Sequence, residues 1–210
     1  MARGRSIGDI VVTDGTAVCA HALALHTAHL PTRDLSDAVH VLCALHGEAP
    51  SIVEHARSAP GADLVQQWIN DAAAAFDEER HALAALTAAI GPQPSTPGQA
   101  QTEAAIIAQR HAFATLARSE RHGCALGAVL AFLLDWHAIR AVLDAAWQRA
   151  GSVPPPSTLP PPPAIIAVAT RLSSEPGPAR AMQFGAQQLI AQHRGLWHLL
   201  DARASARNTQ

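Results

Sequence analysis

Five segments of this chain read as helices, and each carries one ionisable side chain within its apolar stripe. At about 100° per residue, positions i, i+3, i+4 and i+7 share one face of a helix. The ionisable residues on those faces are His46, Glu79, Arg110, His137 and His193. An unpaired buried charge costs several kcal/mol, so such groups persist only when they pair with each other or with a ligand. The pattern therefore predicts a polar site inside a helical bundle.

Imidazole and carboxylate groups together form the ligand set of iron, manganese and zinc, and helical bundles build such sites from facing helices. We therefore predict that the metal ligands are His46, Glu79, His137 and His193. The expected cofactor is iron, manganese or zinc. Arg110 is predicted to line the cofactor site, where it would hold a carboxylate in place.

The same residues also support a second interpretation, without a ligand. Buried histidines commonly donate to a backbone carbonyl or to a carboxylate, and Arg110 could form a plain ion pair with Glu79 or Glu103. The protein would then be a non-catalytic interaction or regulatory module whose polar interior fixes the register of its helices.

Two acid-x-x-His pairs occur, Asp37 with His40 and Glu78 with His81. This spacing places both groups on one helix face, and it is a ligand motif of ferritin-like di-iron carboxylate proteins. Residues 34–150 resemble that family, which implies a metal-dependent oxidoreductase whose metal activates oxygen or water. On the helical wheel, Asp37 and His40 lie opposite the apolar stripe of their helix. The segment DAVHVLCALHGEAP also resembles an uncharacterised bacterial helical family, which implies no chemistry.

Other enzyme classes lack their motifs in this sequence. There is no glycine-rich phosphate loop, no G-x-S-x-G elbow and no H-E-x-x-H. Cys43 and Cys124 lie within apolar runs, which disfavours the reactive thiolate. His21, His26 and His29 are too loosely spaced for a metal-binding tract, so we expect them to be solvated or capping residues.

The composition indicates an ordered helical protein. Of the 210 residues, 49% are hydrophobic and 15% are charged. All basic residues are arginine, the net charge is -2 and only 4% of residues are aromatic, which argues against a nucleic-acid surface. Scattered cysteines, no signal peptide and no apolar run long enough for a membrane span predict a soluble cytoplasmic protein. The expected partners are a small molecule or a metal ion. The sequence leaves open whether the protein forms a homo-oligomer.

Helix start and stop signals predict an all-α fold, a helical bundle of five to six main helices. A proline-rich crossover is expected before the C-terminal helix. The predicted organisation is a flexible N-terminus over 1–13, a helical bundle over 14–152, a proline-rich connector over 153–163, C-terminal helices packing on the bundle over 164–204 and a tail over 205–210. Within the bundle, helices are expected near 14–29, 35–46, 51–58, 62–90, 99–122 and 124–150.

Overall fold

The computed structural model describes residues 5–26 and 31–209, and this part of the chain is helical, without a strand. The α-helices are α1 (Ile7–Asp14), α2 (Ala20–Leu25), α3 (Thr32–His46), α4 (Ile52–His55), α5 (Gln66–Ala89), α6 (Gln99–Ala117), α7 (Cys124–Arg149), α8 (Pro162–Leu172) and α9 (Pro176–Asn208). Short 3₁₀ turns cover Thr16–Val18, Ala56–Ser58 and Ala62–Val65. The predicted all-α bundle is confirmed. The end of the first predicted helix, with His29, lies outside the described residues.

Helix α7 forms the core of the bundle. Every one of its residues from Cys124 to Trp136 is buried. A helix that is surrounded on all sides needs no polar face, and this segment carries no charge before Asp135. Among the described residues, α7 is the one helix long and apolar enough to cross a membrane, and 78% of its most apolar window is buried inside the bundle. That degree of burial is typical of the central helix of a bundle.

Helices α7 and α9 pack against each other backbone to backbone. A Cβ at Gly127 would collide with the backbone of Met182, and a Cβ at Gly185 would collide with the backbone of α7. Only glycine permits this close approach at the two positions. Gly123, directly before α7, lies against Pro178 near the start of α9, and Asp135 contacts His193 further along both helices, so the helices run parallel. Two turns further on, the approach brings Asp135 of α7 next to His193 of α9.

The proline-rich segment allows α9 to run parallel to α7. After α7 the chain turns back along that helix. The carbonyl of Pro155 accepts a hydrogen bond from Arg140, and the carbonyl of Pro160 contacts the imidazole of His137. The segment thus crosses the bundle before α8 leads into α9, which is the connector geometry that a stiff polyproline stretch favours.

Both ends of the chain are more helical than the sequence predicts. Residues 1–13 are predicted to be loose, yet α1 begins directly after Ser6 because Ser6 and Asp9 form a capping box. The Ile10 side chain of α1 is fully buried. At the other end, α9 continues through most of the predicted tail, where Arg207 is buried in an ion-pair cluster. The capping box thus explains why the first helix begins earlier than predicted. The ion-pair cluster explains why the last helix ends later than predicted.

Candidate functional site

His46 and His193 meet in the interior of the bundle. His46 is the last residue of α3 and is 7% exposed, whereas His193 lies in the middle of α9 and is fully buried. Their ring centroids are 5.4 Å apart and the rings are nearly perpendicular, with an interplanar angle of 84°. These two imidazoles are the part of the predicted ligand set that the structure brings together. We call them the histidine pair.

Asp135 fixes the orientation of His193. The Nδ1 atom of His193 lies 2.6 Å from Oδ2 of Asp135, and both side chains are fully buried. Thr16 donates to the same carboxylate from its backbone N–H over 2.7 Å and from its hydroxyl over 2.6 Å. The Trp197 indole N–H in turn donates to the Thr16 hydroxyl over 2.8 Å. Because the Asp135 carboxylate acts as an acceptor for Thr16, we assign the donor role in this contact to Nδ1 of His193, and Nε2 points away from Asp135.

His46 lies in a cage of aromatic rings. The centroids of Phe113, Phe132 and Trp136 are each 5.3 Å from the centroid of its ring. Burial in this cage lowers the pKa of His46 well below 6.5, and the neighbouring His193 lowers it further. His46 is therefore neutral at physiological pH, so one of its ring nitrogens has a free lone pair.

The Nε2 atoms of both histidines are buried, and no described residue forms a hydrogen bond with either of them. The imidazole of His46 forms no hydrogen bond with a described residue. Leaving a buried polar atom without a partner costs about 1–3 kcal/mol, so native proteins rarely keep one unless it has a function. The histidine pair thus combines a fixed tautomer on one ring with free nitrogens on both.

His46 lines a surface cleft of about 450 Å³, whereas His193 does not line it. The cleft lies between the end of α3, α4 and α6, and a capping box of Ser51 and Glu54 fixes the start of α4. Its apolar lining includes Phe113 and Phe132, the same rings that enclose His46. A molecule that enters the cleft would therefore meet an aromatic surface next to the neutral imidazole.

Glu79 is buried in a different hydrogen-bond network. One of its carboxylate oxygens accepts from the Trp136 indole N–H over 3.1 Å. The other accepts from the Arg140 guanidinium over 2.7 Å and from the Ser157 hydroxyl over 2.6 Å. The Trp136 ring thus contacts Glu79 on one side and His46 on the other. All hydrogen bonds that Glu79 needs come from protein groups, and they attach the proline-rich segment to α5 and α7.

The other predicted residues also lie away from the histidine pair. The Nε2 atom of His137 contacts the carbonyl of Pro160 over 3.0 Å. Arg110 forms an ion pair with Glu48. The interpretation without a ligand had Glu79 or Glu103 as the partner of Arg110, so it was wrong about the partner. The arginine does line the cleft, but its side chain is 38% exposed and belongs to the rim. The four predicted metal ligands therefore do not converge, because a helical wheel fixes the face of a residue but not which neighbour covers that face.

The acid-x-x-His pairs likewise form no shared site. The Nε2 atom of His40 contacts the carbonyl of Gly91 over 2.8 Å. The His81 side chain is 78% exposed and bonds to its own helix, while Glu78 accepts a hydrogen bond from Thr158. The expectation that Asp37 lies away from the core is corrected, since it is fully buried.

Asp37 belongs to a second buried polar cluster, which the sequence reasoning missed. We call it the carboxylate–arginine cluster, and it consists of Asp34, Asp37, Thr96, Arg203 and Arg207. Arg203 binds both oxygens of Asp37 over 2.8 and 2.7 Å, and Arg207 bridges Asp37 and Asp34 over 2.6 and 2.7 Å. Burial alone would raise the pKa of Asp37, but these hydrogen bonds hold it below 3.8. The sequence signal for this cluster was the spacing of its charged residues. The two aspartates lie on one face of α3, and the two arginines lie on one face of α9.

Asp135 was the other residue missed as part of a site. Its i, i+2 spacing to His137 directs the two side chains to different faces of the helix. The available signal was the apolar run before it. A helix with no charge from Cys124 to Leu134 is buried on every face, so the first acid after that run also lies in the interior.

In the part of the chain that the structure describes, no group of three or more histidine, cysteine, aspartate or glutamate side chains is placed to hold a metal ion. Within those residues, the histidine pair therefore offers two imidazole groups and no third side chain of these types arranged to complete a metal site.

Comparison with known proteins identifies a family and no activity. Residues 11–208 match a family that is described as a family of unknown function, DUF6975. No curated protein and no solved structure matches this chain. The match spans almost the whole bundle, including the histidine pair and the cleft.

Proposed function

The chain belongs to the family of unknown function DUF6975, and we propose that it binds a divalent transition-metal ion through the histidine pair. The observation that carries this proposal is that two adjacent buried imidazoles have Nε2 atoms without a hydrogen-bond partner among the described residues. Asp135 supports it as a positioning residue, because a carboxylate on Nδ1 is the usual partner of a metal-binding histidine.

The spacing of the two rings is that of a close ring contact, as between His46 and Phe113, and it is also short enough for both imidazoles to reach one ion. With metal–nitrogen distances of about 2.1 Å and a tetrahedral angle, two ligating imidazoles have ring centroids about 5 Å apart. The centroids of the histidine pair are 5.4 Å apart. The low pKa of His46, caused by burial, favours binding further because a proton does not compete with the metal for its nitrogen.

Two protein ligands leave coordination positions for other molecules, and His46 connects these positions with the cleft. Imidazole ligands suit iron and zinc, and iron would supply redox chemistry. We therefore propose metal-dependent oxidoreductase activity as the reaction class. Asp135 and the aromatic cage would orient the ligands and exclude water from them.

The test is a metal titration of the chelator-treated full-length protein. We expect saturable binding of Zn²⁺ in calorimetry and a visible absorption band on addition of Co²⁺. His46→Phe and His193→Phe should lose both signals. Asp135→Asn should weaken binding by about 10–100-fold. His81→Phe, which changes an exposed histidine, should bind like the wild type. Equal affinity in the wild type and both pair variants, or no binding by the wild type, would contradict the proposal.

A second candidate is a non-catalytic helical module whose polar interior fixes helix register. The observation that favours it is the complete pairing of Glu79 and Asp37, whose oxygens are all bonded to protein groups. Such networks specify which helices pair and in which register. If the wild type bound no metal, this second candidate would account for the buried polar groups in its place.

A further inference from the structure

We propose that the cleft next to His46 binds a small organic carboxylate with an apolar body. The proposal goes beyond metal binding and does not depend on it, since the groups that carry it are the aromatic lining and the arginines at the rim. The ligand class follows from three properties of the cleft, which are its size, its lining and its charge.

The size and the lining suit a small molecule with an apolar body. The cleft has a volume of about 450 Å³, within the usual range of about 300–1,000 Å³ for small-molecule sites. Phe76, Phe113 and Phe132 line it together with Ile107. Burying an apolar body against these side chains supplies the hydrophobic part of the affinity.

The charge at the rim selects an anion. Arg110 and Arg118 lie on the α6 wall, about 12 Å apart along the helix at 1.5 Å per residue. Arg110 is paired with Glu48, the acidic residue of the lining. The Arg118 side chain is exposed and has no hydrogen-bond or ion-pair partner among the described residues. A guanidinium binds a carboxylate through two parallel hydrogen bonds, so Arg118 is the anchor for the charged end.

His46 forms part of the floor of the cleft, and its imidazole is enclosed there by the rings of Phe113, Phe132 and Trp136. The arginines lie at the rim, so the carboxylate binds at the rim and the apolar body lies on the aromatic floor. The two ends of the ligand are thereby oriented. A cationic head group is excluded at the rim, because two arginines and one glutamate line the cleft.

The experiment compares three probes of equal chain length on the chelator-treated full-length protein. We expect calorimetry to show that octanoate binds, that octanol binds at least about tenfold more weakly and that octylammonium does not bind. Because metal is removed, failure here is distinguishable from failure of the metal-binding proposal. Equal affinity for the three probes, or no binding of octanoate, would overturn the inference.

Three variants locate the binding. Arg118→Gln should weaken octanoate binding about tenfold and leave octanol binding unchanged, because it removes the charged anchor alone. Ala114→Trp, which fills the cleft, should abolish binding of both probes. The matched control is Arg180→Gln, an exposed arginine outside the lining, which should behave like the wild type. Circular dichroism checks that each variant folds. Octanoate affinity that survives Arg118→Gln or Ala114→Trp would place the ligand elsewhere and refute the inference.

Discussion

Helices α3 and α9 are joined by two buried polar clusters that differ in one respect. In the carboxylate–arginine cluster, both oxygens of Asp37 accept hydrogen bonds from guanidinium groups. In the histidine pair, Asp135 is fully bonded, yet both Nε2 atoms lack a hydrogen-bond partner among the described residues. In the carboxylate–arginine cluster, the buried atom without such a partner is Nε of Arg207, whose other two guanidinium nitrogens are bonded to Asp37 and Asp34. The same two helices thus carry one contact whose central carboxylate is fully bonded and one contact with two adjacent open ring nitrogens.

This difference in bonding distinguishes a cluster that stabilises the fold from a cluster that can bind a ligand. A complete buried network stabilises the pairing of its helices once they have folded, and it needs no further molecule. An incomplete one costs free energy in every folded molecule, which is expected where a ligand supplies the missing bond. Polar burial alone therefore does not mark a site. The histidine pair differs because two open ring nitrogens lie side by side, whereas the open Nε of Arg207 belongs to a guanidinium that is already bonded to two carboxylates.

The largest effect is expected in the carboxylate–arginine cluster. Asp37→Leu leaves Arg203 buried without its carboxylate, so we expect the free energy of unfolding to fall by about 3–5 kcal/mol. Chemical denaturation measures this loss. Asp71→Leu, on the exposed side of α5, should change it by no more than about 0.5 kcal/mol. Metal affinity should survive in Asp37→Leu. An Asp37→Leu variant with the same free energy of unfolding as the wild type would show that the carboxylate–arginine cluster does not stabilise the fold.

A comparable effect is expected for Glu79, because both of its carboxylate oxygens are bonded to protein groups. Glu79→Ala leaves the buried Trp136 indole N–H and the Arg140 guanidinium without their acceptor, so we expect a loss of about 3–5 kcal/mol. Leu83→Ala, on the same helix, creates only a cavity and should cost about the same or less. Thermal unfolding of the two variants decides the order. A clearly smaller loss in Glu79→Ala would mean that its network contributes little.

A moderate effect is expected in the pH dependence of the histidine pair. The folded state lowers the pKa of His46 below the unfolded value of 6.5, so the unfolded chain takes up the proton first as the pH falls. The contribution of His46 is fully present above pH 6.5 and is lost below it, by roughly 1.4 kcal/mol per pH unit. The difference in unfolding free energy between wild type and His46→Phe, measured without metal, isolates this slope. Parallel pH curves for the two proteins would be inconsistent with a buried neutral His46.

The smallest effect is expected at neutral pH in the same variant. The imidazole of His46 forms no hydrogen bond with a described residue, and phenylalanine extends the surrounding aromatic cage. We therefore expect His46→Phe to unfold with a free energy within about 1 kcal/mol of the wild type, or with a gain. Denaturation at pH 7.5 measures it. A loss as large as that of Asp37→Leu would remove the contrast between the two clusters.

The helical periodicity predicted the fold and several interior positions. It identified His46, Glu79 and His193 as buried, because each continues an apolar stripe. It could not tell which of them share a pocket, because that depends on which helix covers which face. The parallel approach of α7 and α9 joins His193 to Asp135, and it depends on Gly127 and Gly185, which carry no chemistry themselves.

The carboxylate–arginine cluster shows a second limit of helical periodicity. Asp37 lies opposite the apolar stripe of α3, a position that is exposed in a helix with one buried face. Here α9 covers that face and supplies Arg203 and Arg207. Local pattern cannot contain this information, since the partners lie far apart in the sequence.

The most direct test of the central claim is the nitrogen NMR spectrum of the histidine side chains with and without Zn²⁺. Without metal, we predict that His193 carries its proton on Nδ1 and that Nε2 is unprotonated. On saturation, the Nε2 resonances of His46 and His193 should both shift as ligating nitrogens, while those of the exposed His81 stay in place. Nε2 resonances of the pair that do not respond to Zn²⁺, or a proton on Nε2 of His193 in the free protein, would contradict the claim.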